Sequence, residues 1–244
     1  MATSRPKRHV QREIFWHGGK RRGAGRKPKG TRARTTHQRR KELNTQHPLH
    51  IVLRVRPEIG NLRRPALYQA IRDSSIVAAI RGRIRIIHIS VQATHIHMLV
   101  EAENKLALAR GMQGFQISAA RNIHTALGAD KLHRRRGPVF ADRFHVVVIS
   151  SPTQARNVLS YVLSNWRKHR EDRTKQSRAW LIDPFSSAIA FPDWQEREGH
   201  DCMWKIPAGH DPLVVYRPRT WLLKKGWKLA GPISVHDVPS RPFS

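Results

Sequence analysis

Two strand-like runs, RIRIIHISVQA over residues 83–93 and HIHMLVEA over 95–102, stand with only Thr94 between them. No other feature constrains the fold as strongly. A parallel pair needs a crossover of a dozen or more residues, so these runs form a hairpin, and a hairpin is antiparallel. Upstream, HPLHIVLRVR alternates, with Ile51, Leu53 and Val55 on one face and His50, Arg54 and Arg56 on the other, as a half-buried strand does. Pro65 then opens a helix, ALYQAIRDSSIVAAI, with Leu67, Ile71 and Val77 on one stripe.

Downstream, residues 105–127 set Leu108, Met112, Phe115, Ala119, Ile123 and Leu127 at steps of three and four, a helical period. The basic loop GADKLHRRRGP leads into a strand, VFADRFHVVVIS. Ser151-Pro152-Thr153-Gln154 is a capping box with proline at the first helical position, and it starts the helix TQARNVLSYVLSNWRKH. The order β-α-β-β-α-β with a further helix is the split βαβ, or ferredoxin-like, α+β arrangement: an antiparallel sheet with an added C-terminal helix.

Charge indicates what such a fold meets. The 244 residues carry 46 Lys and Arg against 17 Asp and Glu, a formal net charge of +29, so the expected partner is a polyanion. Residues 5–41 hold fifteen of the basic residues and one acid, Glu13. With Gly and Pro interrupting every period in HGGKRRGAGRKPKG, this arm buries no core and either stays solvated or lies on phosphates. Its Gly25-Arg26-Lys27-Pro28 stretch resembles an AT-hook, in which a basic tripeptide enters an A·T-rich minor groove.

Residues 1–45 are thus expected to be a disordered DNA-binding arm, 46–170 the catalytic domain, and 171–244 an irregular extension wrapping it. The extension holds five of the seven Trp, expected to pack rather than stack on bases. A single cysteine, Cys202, excludes an intramolecular disulfide and a Cys-based zinc site. No apolar run approaches the roughly 20 residues of a membrane span, and the amino terminus lacks the apolar region of a secretion signal, so no membrane is expected as partner. The cytoplasm is the expected compartment.

His95-Ile96-His97 lies on the second hairpin strand. Ile96, Met98 and Val100 face the core in this reading, so both imidazoles project together from the other face and can clamp one divalent ion. The alternative is two solvated histidines, since a chain with fifteen His offers a chance His-x-His easily. On the last helix Tyr161 shares a polar stripe with Asn157 and Asn165, while Val158, Leu159, Val162 and Trp166 pack. Tyr161 is there an available nucleophile with Asn165 as a neutral oxygen ligand beside it, or else its ring only anchors the helix. A phenol with a pKa near ~10 attacks poorly at neutral pH and needs nearby positive charge, which a metal ion supplies.

In their order along the chain, ATHIHMLVEA, GPVFADRFH and NVLSYVLSNWRKH resemble the single-tyrosine HUH transposases of IS200-like type, specifically the REP-associated tyrosine transposases, over about residues 47–169. The resemblance implies that paired histidines hold Mg²⁺ or Mn²⁺ and that a helical tyrosine attacks single-stranded DNA. The products are a 5′-phosphotyrosine and a free 3′-hydroxyl. Carried over by residue, His95 and His97 are metal ligands, Tyr161 the nucleophile, and Asn165 a further ligand where relatives often have Gln. Thr94 stands where many relatives have Asn, and Phe144 where Tyr is common.

Phosphotyrosine conserves the energy of the cleaved bond, which suits cutting and rejoining rather than degradation. Arg54, Arg56, Arg134, Arg135, Arg136, Arg167 and Lys168 are candidates for a basic groove, with Arg26 and Lys27 of the arm. The expected function is a metal-dependent single-strand endonuclease and strand transferase acting at hairpin-forming repeats, in the bacterial cytoplasm at the nucleoid. The alternative is an inactive repeat-binding protein or repressor on the same fold. An RNA-binding module ranks last, because the strands lack the aromatic pairs that stack bases. Monomer and homodimer stand equally open.

Overall fold

The computed structural model describes residues 43–128, 137–173, 177, 180–197 and 208–240. The chain divides after Arg40, and the architecture below belongs to the unit Lys41–Ser244. Arg26 and Lys27 of the arm, and Arg134, Arg135 and Arg136 of the basic loop, lie outside the described residues.

The element order is β1 (Leu49–Arg54), α1 (Pro65–Arg81), β2 (Arg85–Val91), β3 (His95–Glu101), α2 (Lys105–Leu127), β4 (His145–Val148) and α3 (Pro152–Lys168), with a short α4 (Trp221–Lys224) in the extension. The strands lie in the order β2-β3-β1-β4, every neighbouring pair antiparallel. This interleaving of the two halves is the ferredoxin-like topology the sequence predicts. The hairpin closes as read, with the Gln92 amide donating to the His95 carbonyl at 2.9 Å. Asn104 caps α2 by accepting from the Ala107 amide at 2.8 Å.

Each face of the sheet carries its own core. On one face Leu49, Ile51, Leu53, Ile96, Met98 and Val100 meet α1 and α2. The α1 stripe is narrower than the sequence suggests: Leu67 and Ile71 are buried, but Ser74, Ser75 and Ala78 continue it while Val77 is only half-buried. The serines can be buried because each hydroxyl donates to a carbonyl of its own helix, Ser74 to Ala70 and Ser75 to Arg72. Leu127, read as the end of the α2 stripe, is exposed.

The other face is covered by α3 and the extension. Ile87 and Leu99 of the sheet pack there with Val158, Leu159, Val162, Phe191, Trp194, Trp227, Ile233 and Val235. The expectation that the extension's Trp residues pack is met by Trp194 and Trp227, which are buried; Trp221 is exposed. A bulge between Ile86 and His88 shifts the β2–β3 register by one residue. It flips the alternation of β2, so that Ile86 and Ile89, three residues apart, both join the first core while Ile87 joins the second. The predicted strand VFADRFHVVVIS is shorter than its sequence: only His145–Val148 forms β4, while Phe140 bridges to Val55 beyond a bend.

Candidate active site

The face of the sheet turned toward α3 is the imidazole face. β1 and β3 pair with Val52 opposite His97 and Arg54 opposite His95, so His50, Val52 and Arg54 of β1 share a side with His95 and His97 of β3. The His95 and His97 rings lie 4.7 Å apart between centroids, at 88° to each other. The buried His50 meets His97 through its Nε2, 3.1 Å from the His97 Nδ1.

The helix brings the phenol to this face. The Ser151 hydroxyl accepts from the Gln154 amide at 3.3 Å. The Gln154 side-chain Oε1 accepts from the Ser150 amide at 3.0 Å, so the capping box closes one residue earlier than its usual form. The Tyr161 ring then stands 5.0 Å from that of His97 and 6.0 Å from that of His50. Tyr161 and the paired histidines are on the same side of the sheet. The helix departs from α geometry at Ser164 (φ −116°, ψ 17°). Just beyond, Lys168 holds its ammonium 4.6 Å from the Tyr161 ring centroid, and His169 brings its ring 5.1 Å from His95.

Burial sets the protonation of this cluster. His95 is pushed down to about 4, by loss of water first and then by His169 and Arg54. Burial and His145 bring His50 to about 4, and burial with the neighbouring imidazoles takes His97 well below its ordinary value. The rings are therefore neutral at pH 7, the form in which imidazole donates a lone pair to a metal. The Thr94 hydroxyl lies 3.2 Å from the His95 Nδ1, so threonine supplies a hydrogen-bonding group at the position where the resemblance leads one to expect Asn.

Among the described residues no group of three or more His, Cys, Asp and Glu side chains is arranged to hold a metal. The donor set of the sequence reading contains two imidazoles and an amide, and its buried atoms bear on the question. Asn165 is fully buried, and neither its Oδ1 nor its Nδ2, nor the His97 Nε2, has a hydrogen-bond partner among the described residues. Buried polar atoms left this way are costly, and a cation within reach of the oxygen or of the ring nitrogen would relieve that cost. In their chemistry, imidazole nitrogen and amide oxygen are donors that a divalent ion accepts.

The basic candidates separate. Arg54 is exposed opposite His95. Arg56 is partly exposed and pairs with Glu58 at 3.2 Å. Arg167 turns inward, donating to the Val235 carbonyl at 2.7 Å and the Leu181 carbonyl at 3.0 Å, and so ties α3 to the extension. Lys168 lies over the phenol rather than among the outer cations. Sequence reasoning missed His50 and His169. The signal for His50 was its parity, since residues 50, 52 and 54 fall on one face of a strand paired antiparallel to the His-x-His strand.

A basic chain with this fold and this face fits the class of DNA-transposing enzymes. It belongs to the family described as "Transposase IS200 like", whose sequence model matches residues 32–165. No curated protein matches the chain. Among solved structures it is similar to a REP-associated tyrosine transposase bound to a REP hairpin, at 17% identity and a TM-score of 0.45, covering 64% of this chain and 84% of that one. It is also similar to a Deinococcus radiodurans R1 protein regarded as a transposase, at 14% identity and a TM-score of 0.36, covering 53% and 95%. Family membership gives the chain a transposase role, with DNA binding and recombination as its business. Among the described residues no helix is long and apolar enough to cross a membrane.

Proposed function

We propose that the chain cuts and rejoins single-stranded DNA at hairpin-forming repeats, with Tyr161 as nucleophile and His95, His97 and Asn165 holding Mg²⁺ or Mn²⁺. One observation carries the reading: the Tyr161 and His97 rings, from distant segments, lie 5.0 Å apart on one face of the sheet. When bound, the ion polarises a phosphate oxygen and favours the phenolate. Lys168, 4.6 Å from the ring centroid, adds positive charge on the phenol's own helix.

The Tyr161 oxygen forms a bond to phosphorus as the bond to the 3′-oxygen breaks. The 5′-phosphate stays on Tyr161, and the departing oxygen takes a proton to become a 3′-hydroxyl. Reversal with a new 3′-hydroxyl rejoins the strand. Arg54 supplies an exposed cation beside His95 for the DNA backbone. In this reading the enzyme works in the cytoplasm, at the nucleoid.

The test is a labelled hairpin oligonucleotide with Mn²⁺. A covalent protein–DNA band is expected from wild type, and none from Tyr161→Phe, from His95→Ala or with chelator. Tight binding without any adduct across repeat sequences would instead establish a non-cutting repeat binder.

A further inference from the structure

Trp221 breaks the pattern of the extension. Trp194 and Trp227 are buried, but Trp221 is 55% exposed, and it lines a cavity of about 1000 Å³ at the end of the sheet where β3 finishes and β2 begins. Its ring is nevertheless held in place: Gly226 is buried against it, and a Cβ there would come within 2.6 Å of the ring. An indole seated on one side and open on the other is a stacking platform.

Positive charge surrounds that platform. Arg83 and Arg219 line the same cavity, are exposed, and make no ion pair or side-chain hydrogen bond among the described residues. The acid beneath them is already engaged: the buried Glu101 carboxylate accepts from the Arg219 amide at 2.9 Å and the Thr220 amide at 2.8 Å, with the Arg85 Nε 3.5 Å away. The exposed Glu103 also lines the cavity, so three arginines stand against two carboxylates. Thr220, 8% exposed, adds a hydroxyl with no hydrogen-bond partner among the described residues. Thr45, Gln46 and His47 line the cavity too, so the sequence of the basic arm joins the unit beside it.

We infer that this cavity binds one nucleotide of a DNA single strand, with the base stacked on Trp221 and its phosphates on Arg83 and Arg219. A bare phosphate would leave the ring unused, and an apolar ligand would leave the cations unused; a cavity of this size admits a nucleotide. The site is set apart from the chemistry. Glu101 follows His97 by ~13 Å along β3, at ~3.3 Å per residue, with the buried Leu99 between them. The inference rests on the proposed function only in taking single-stranded DNA as substrate.

The test uses full-length protein carrying Tyr161→Phe, in chelator so that no cutting intervenes, titrated against a labelled single-stranded oligonucleotide and a duplex of equal length. Trp221→Ala is expected to weaken single-strand binding roughly 10-fold and to leave duplex binding unchanged, Trp221→Phe to stay near the parent, and Arg219→Gln to lower the salt dependence. Unchanged single-strand affinity in Trp221→Ala, or equal loss for strand and duplex, overturns the inference. Should Trp221→Ala fail to fold, photocrosslinking of the parent protein to an iodouracil-bearing strand decides: a crosslink on Trp221 supports the site, and crosslinks only elsewhere overturn it. Displacement of the strand by an equal concentration of mononucleotide would make this a site for free nucleotides and overturns it as well. The cutting reading is judged separately with Tyr161 intact. A protein that shows the Trp221 effect but forms no adduct keeps this site and loses the nuclease reading, and the converse result removes this site alone.

Discussion

Lys168 and Asn165 each give a prediction that one side chain can settle. With its ammonium over the Tyr161 ring, Lys168 favours the negatively charged phenolate. Lys168→Met is expected to slow adduct formation roughly 10-fold, as the loss of ~1–2 kcal/mol of cation–ring attraction implies. The deficit should shrink as pH rises, and single-turnover adduct formation across a pH series measures it. Asn165 sets function against stability, because its amide is buried with neither polar atom partnered among the described residues. Asn165→Leu is expected to stabilise the metal-free protein by about 1–3 kcal/mol while weakening Mn²⁺ binding, as thermal unfolding and a Mn²⁺ titration will show. His95, His97 and Tyr161 were legible because three motifs stand in order. His50 was not, because alternation assigns it to a polar and hence apparently wetted face, and only the packing of α3 reveals that this face is interior.

At the scale of elements, the alternating strands and the α2 period were readable, whereas the β2 bulge was not, since an extra residue leaves no mark in a run of Ile and His. One product of that irregular strand is His88, buried with its Nδ1 3.1 Å from the Ser187 hydroxyl. Burial holds His88 at about 4, below its ordinary 6.5. Between those values the unfolded chain takes a proton that the folded chain refuses, so stability is full above about pH 6.5 and falls as pH drops toward 4. His88→Gln should flatten this part of the profile in urea unfolding over a pH series. The contact of α2 with the segment before β2 is similarly unforgiving. A Cβ at Gly111 would run into the Ile84 side chain, so Gly111→Ala is expected to cost about 1–3 kcal/mol in the same assay.

The unit Lys41–Ser244 is built on a sheet with two cores, and the second depends on the extension. Phe191, Trp194, Trp227, Ile233 and Val235 cover Ile87, Leu99 and the apolar side of α3. Removing residues 178–244 is expected to expose that face and abolish cooperative thermal unfolding, whereas removing residues 1–42 should leave the melt unchanged and reduce the salt dependence of DNA binding. The Trp and Pro content announced a wrapping segment, but its irregular path had no period from which the covering contacts could be read.

Arg167 grips carbonyls from two separate stretches of that segment, and it is the immediate neighbour of Lys168. Helix and extension are therefore held to each other through one guanidinium. An extension transplanted from another chain would arrive without its matching clasp.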